Sequence, residues 1–125
     1  MIDQQGHFVL KVPGNPKYVG VVRLAISGLA CRLDLTYEDV EDIKLAVAEA
    51  CAKAITHGNG QEISIDCEIS DDCLNLSVSD KGTGPQDDED LGIFLIRSLM
   101  DEVNFHLLNG QGCRLSMKKY FGKKA

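Results

Sequence analysis

Glu49-Ala-Cys-Ala-Lys-Ala-Ile-Thr-His-Gly58 is the stretch around which the rest of the chain organises. With the residues just before it, it places Ile43, Val47, Ala50 and Ala54 at three- and four-residue spacing. That spacing predicts the buried stripe of an amphipathic helix. Glu49, Lys53 and Thr56 or His57 lie off the stripe and line one side of the same helix. Upstream, Thr36 with Asp39 three residues on forms a near capping box, and Glu38 suits the positive helix end. Gly58 ends the helix.

On the N-terminal side, His7 to Val12 alternates weakly and predicts a first strand. Asn15 before Pro16 predicts a helix start, with the helix running to about Leu33. Val19, Val22, Ile26, Leu29 and Ala30 would form its apolar face. On the C-terminal side, Ile63, Ile65, Cys67 and Ile69 alternate with polar residues as a half-buried strand does. Asp71-Asp72 turns the chain into a second such strand, Leu74, Leu76 and Val78. The polar run from Asp80 to Asp90 predicts a loop, and Leu91 to Met100 a helix. Val103 to Leu108, the Asn109-Gly110 turn and Cys113 to Tyr120 predict a closing hairpin. The order β-α-α-β-β-α-β-β predicts an α+β two-layer sandwich. Its sheet would be mixed, mostly antiparallel and five-stranded, with about three helices on one face.

Composition narrows the function. At 125 residues, 44% of them hydrophobic, the chain predicts one globular domain spanning 1–125. Thirteen basic against 19 acidic residues give a net charge of −6, which argues against direct nucleic-acid binding. The apolar runs fall short of a membrane span, and no basic, apolar leader precedes the first strand; both predict a cytoplasmic protein that does not bind membranes. The five cysteines, Cys31, Cys51, Cys67, Cys73 and Cys113, are scattered singly. No disulfide framework or zinc site is predicted. Cys31, Cys51 and Cys113 read as small buried hydrophobes. His7, His57 and His106 are too dispersed to predict a metal site.

Two further segments carry chemistry: Asp80-Lys-Gly-Thr-Gly84, and Asp90-Leu-Gly-Ile-Phe-Leu-Ile-Arg-Ser-Leu-Met-Asp-Glu-Val103. In this order the three segments resemble the nucleotide boxes of the histidine-kinase-like ATPase superfamily, and most closely those of the bacterial anti-sigma-factor serine kinases. The resemblance runs from about Val9 to Tyr120. It implies that Glu49 positions and deprotonates an attacking hydroxyl, and that Asp80 reads the adenine amino group. It also implies that Gly82, Gly84 and Gly92 let the backbone approach the nucleotide, with Lys53 and His57 facing it. Arg97 and Ser98 read as surface residues.

Three departures bear on turnover. The family's magnesium-coordinating asparagine is Lys53 here, and an ammonium cannot ligate a metal. The first glycine of the third box is Asp90, which closes an acidic run from Asp87 that disfavours phosphates. The connection from Gly84 to Gly92 is shorter than the family's lid. These features predict weak ATP binding with little dependence on Mg2+, and leave no metal ligand to name. The resemblance implies an anti-sigma regulator of transcription. Its partners would be a sigma factor, a small antagonist protein or both, and it would form a homodimer. The alternative is a non-catalytic protein-binding module with a decayed ATP site.

Overall fold

The computed structural model describes residues 6–58, 61–82, 91–107 and 112–122. The elements are β1 (Gly6–Val12), α1 (Val19–Ala30), α2 (Tyr37–His57), β2 (Ile63–Ile69), β3 (Cys73–Asp80), α3 (Leu91–Leu99), β4 (Glu102–Leu107) and β5 (Cys113–Tyr120). The sheet order is β1-β2-β3-β5-β4. All four neighbouring pairs are antiparallel, so among the described residues the sheet contains no parallel pairing. The expected Asn109-Gly110 turn lies outside the described residues.

The two-residue period of the strands sends Ile63, Ile65, Cys67 and Ile69 of β2, with Leu74, Leu76 and Val78 of β3, to one buried face. Leu115 and Met117 of β5 join them. The helices cover this face with Val22, Ile26 and Ala30 of α1, Ile43, Val47, Ala50 and Ala54 of α2, and Ile93 and Ile96 of α3. The stripe expected from the α2 sequence is therefore the stripe that is buried. The opposite face carries Asp66, Glu68, Asn75, Ser77, Ser116 and Lys118 and none of the core.

Helix ends follow local hydrogen bonding. At α2 the capping box is complete, with the Asp39 N–H donating to Thr36 Oγ1 at 3.0 Å and the Thr36 N–H to Asp39 Oδ2 at 3.3 Å. α1 is shorter than its sequence suggests. Asn15 Oδ1 accepts from the Lys17 N–H at 2.9 Å and opens a 3-10 turn, Pro16–Tyr18, before the α-helix begins. At the other end the Leu33 N–H bonds Ala30 O at 3.0 Å, and Leu33 and Leu35 both pack against the core. Burying both within so few residues of the α2 cap requires a turn in place of another helical one. Cys31 sits on this turn and is exposed, which corrects the expectation that it is buried; the other four cysteines are buried, and all five are free thiols.

Among the described residues, two charged side chains are buried, Lys119 and Asp80. Lys119 has a structural explanation. Its Nζ donates to the Leu99 carbonyl at the end of α3 at 2.7 Å and lies 3.9 Å from both Asp39 and Asp42 on α2. One ammonium thus ties the start of α2, the end of α3 and β5 together. Asp80 is at the other end of α2, and its surroundings are different.

Candidate nucleotide site

Asp80 is the last residue of β3 and continues the inward phase of Leu74, Leu76 and Val78. A carboxylate therefore stands where the alternation calls for an apolar residue, and it is only 6% exposed. Burial raises its pKa above the usual carboxylate range; the Gly82 N–H and nearby His57 pull it part of the way back. The Gly82 N–H donates to Asp80 Oδ1 at 2.8 Å and closes a tight turn after the strand.

Glycines let the end of β3 meet the end of α2. A Cβ on Gly82 would lie 1.7 Å from the His57 carbonyl oxygen and 3.1 Å from Gly58 Cα. A Cβ on Gly58 would lie 2.6 Å from Ala54 O and 3.4 Å from Asp80 Cβ. Gly112, at φ +118°, brings the start of β5 onto the Asp80 carbonyl, where a Cβ would lie 1.9 Å from the oxygen. Three backbone segments thus converge on Asp80. His57 Nδ1 donates to the Lys53 carbonyl at 3.0 Å, which fixes its imidazole against its own helix.

The cavity beside Asp80 is lined by Ala50, Lys53 and Ala54 of α2, Val78 and Asp80 of β3, Phe105 of β4 and Leu115 of β5. Its volume is about 10 Å³, close to the space of one water molecule. Its chemistry is a buried acceptor at one end, apolar walls, and an ammonium-bearing side chain. As shaped here the cavity has room for about one water and not for a ring. It does not suit a metal ion: among the described residues no group of three His, Cys, Asp or Glu side chains is placed to hold one. A larger cavity of about 370 Å³ lies on the opposite face of the sheet, between Asp66, Ser77, His106 and Arg114. Its lining residues are all polar or charged, and it takes in none of the residues singled out from the sequence as site residues.

The structure brings Lys53, His57, Asp80 and Gly82 to one place. Glu49 is half-buried on α2, one turn before Lys53, and does not line the cavity. Gly92 is half-buried in the first turn of α3. Gly84 and the acidic run Asp87 to Asp90 lie outside the described residues. Arg97 and Ser98 are exposed, and each bonds a nearby backbone carbonyl, Val103 O and Leu95 O respectively. Sequence reasoning missed Phe105 and Gly112. Phe105 was detectable as the inward partner of Leu115 across the β4–β5 pair, and Gly112 as a glycine immediately before a strand.

A family model described as a histidine kinase-like ATPase domain matches residues 12–119. The serine-protein kinase RsbW of Bacillus velezensis is 36% identical, over 89% of this chain and 83% of its own length. The Bacillus subtilis RsbW is 35% identical, over 96% and 89% respectively. A Staphylococcus aureus RsbW is 34% identical, over 99% and 92%. Among solved structures, that of the RsbU and RsbW domains of Rv1364c from Mycobacterium tuberculosis superposes with a TM-score of 0.78 at 17% identity. The match covers 96% of this chain but 34% of that longer one, and it shows the shared fold. Among the described residues no helix is long and apolar enough to cross a membrane. The chain belongs to the histidine kinase-like ATPase domain family, within the anti-sigma-factor serine kinase group that the RsbW proteins represent.

Proposed function

We propose that this protein is an anti-sigma-type regulator that binds a sigma factor, a small antagonist protein or both, and carries a weakened ATP site in the cleft between α2 and β3. The buried Asp80 carboxylate carries this reading. Burying a charge costs stability, and among the described residues the Asp80 carboxylate has a hydrogen bond from the Gly82 N–H in its own turn and His57 as a nearby charge, where Lys119 bridges three elements. In this reading Asp80 accepts from the adenine amino group, and Ala50, Ala54, Val78 and Leu115 flank the ring. Phe105, half-buried on an edge strand, swings outward to admit it. Gly82, Gly84 and Gly92 keep the backbone close to the nucleotide, with His57 at the helix end. Where serine kinase activity is retained, Glu49 is its base.

Lys53 favours a second reading, in which the fold and partner surface serve binding alone. A side chain that cannot ligate magnesium lines the cleft, and phosphoryl transfer leans heavily on that metal. Both readings predict complex formation without ATP, as a homodimer. The acidic net charge of −6 suits a basic patch on the partner.

Light scattering coupled to gel filtration decides this, with the purified chain mixed with the source organism's alternative sigma factors and small antagonists. A stable complex without ATP, weakening as salt rises, is the expected result. A monomer that binds none of them would remove the partner reading and leave the family assignment intact. Adding radiolabelled ATP to the antagonist mixture then separates the two readings: phosphoserine on the antagonist marks a kinase, and its absence marks a binding module.

A further inference from the structure

Lys53 is placed to serve as a cation. It lies on α2 one turn after Glu49 and one turn before His57, is half-buried, and lines the same cavity as Asp80. It also has an interaction within the fold. An ammonium offers three donors and no lone pair. It repels a divalent ion brought beside it, and it attracts an anionic oxygen more strongly in a half-buried cleft than in water. The cavity is therefore polarised, with a hydrogen-bond acceptor at Asp80, apolar walls, and a positive charge on the helix. A ligand matching all three parts has an amino-bearing aromatic ring joined to a polyphosphate.

We propose that Lys53 supplies, as a side-chain charge, the countercharge that a metal ion would otherwise bring, so that the site takes a nucleoside polyphosphate in its metal-free form. This rests on the nucleotide-site reading of the cleft. Magnesium removes two negative charges from ATP, so it weakens the attraction to Lys53 and places a like charge next to it. Lys53 is the basic side chain that lines the cavity itself, with His57 and Lys81 beside Asp80 at its rim. Metal-free binding also separates nucleotide occupancy from turnover, because phosphoryl transfer without the metal lacks its main source of charge neutralisation. Such a site reports on nucleotide without consuming it.

The test is calorimetric titration of the full chain with ATP, once with EDTA present and once with excess magnesium. The expected result is binding in EDTA that is several-fold tighter than in magnesium. Lys53→Met should lose about tenfold in affinity for metal-free ATP, and Lys53→Arg should restore it. Lys53→Asn should reverse the preference, so that ATP binds better with magnesium. Thermal unfolding of each variant without ligand controls for folding and should change little. Strict magnesium dependence in the natural chain would overturn the inference while leaving the nucleotide site standing. So would unchanged metal-free affinity in folded Lys53→Met. No ATP binding under either condition would overturn both.

Discussion

Gly82→Ala should lower stability by about 3 kcal/mol, or roughly 10 °C in Tm for a domain of this size. The added Cβ would lie 1.7 Å from the His57 carbonyl oxygen, 2.7 Å from its carbonyl carbon and 3.1 Å from Gly58 Cα. All three are backbone atoms at the end of α2, so no side-chain rotation relieves the clash. Moving them would disturb the end of α2, where Gly58 is the C-cap. Gly20→Ala and Gly28→Ala are the controls. Both glycines lie in α1, and a Cβ on either meets nothing within 4 Å. Each should gain about 0.5–1 kcal/mol, since alanine suits a helix interior better than glycine. Urea unfolding of the three variants measures this. A Gly82→Ala protein as stable as the parent would mean that β3 and α2 do not meet as described, and the site would lose its framework.

Asp80→Asn should separate stability from binding. The folded-state pKa of Asp80 lies above its unfolded value because burial dominates. The native state therefore binds protons more readily than the unfolded state between those two values. Stability contributed at Asp80 is present below the unfolded pKa and is lost as pH rises through the window up to the folded pKa. At neutral pH the buried charge is a net cost. The substituted amide keeps a carbonyl oxygen for the Gly82 N–H and removes the charge, so the variant should be at least as stable as the parent at neutral pH. Its stability should also vary less with pH in the acid range. Nucleotide affinity should fall by about 10- to 100-fold, because an amide in place of the carboxylate presents a donor where an acceptor is needed. Paired thermal melts and ATP titrations check both halves. A variant that loses stability and binds ATP normally would make Asp80 a structural residue.

Much of the fold could be read from side-chain periodicity. The Ile63–Ile69 alternation, the Thr36–Asp39 box and the Ile43–Ala54 stripe each pair a local pattern with one physical cause, and each is found where expected. The resemblance singles out Asp80 and places it at the head of a loop; the structure makes it the last, inward-facing residue of β3. What escaped depends on contacts between segments distant in sequence. Gly82 reads as a residue that lets backbone approach a ligand, yet the backbone that approaches it is the end of α2. Phe105 and Gly112 reach the site because β5 pairs with both β3 and β4; their strand positions could be read locally, but that pairing could not. Cys31 follows an apolar helix face and was expected to share its burial. It is exposed because the chain leaves the helix at Ala30 to bury Leu33 and Leu35.

The most direct test of the central claim is a 1H–15N correlation spectrum of the labelled protein titrated with ATP, with and without magnesium. The nucleotide-site reading predicts that shifts concentrate at Lys53, His57, Gly58, Asp80, Gly82 and Gly112, the residues that line or close the cleft. Ser77, Arg114 and Ser116, on the open polar face of the sheet, should move far less. Shifts confined to that open face, or none anywhere at saturating ATP, would contradict it.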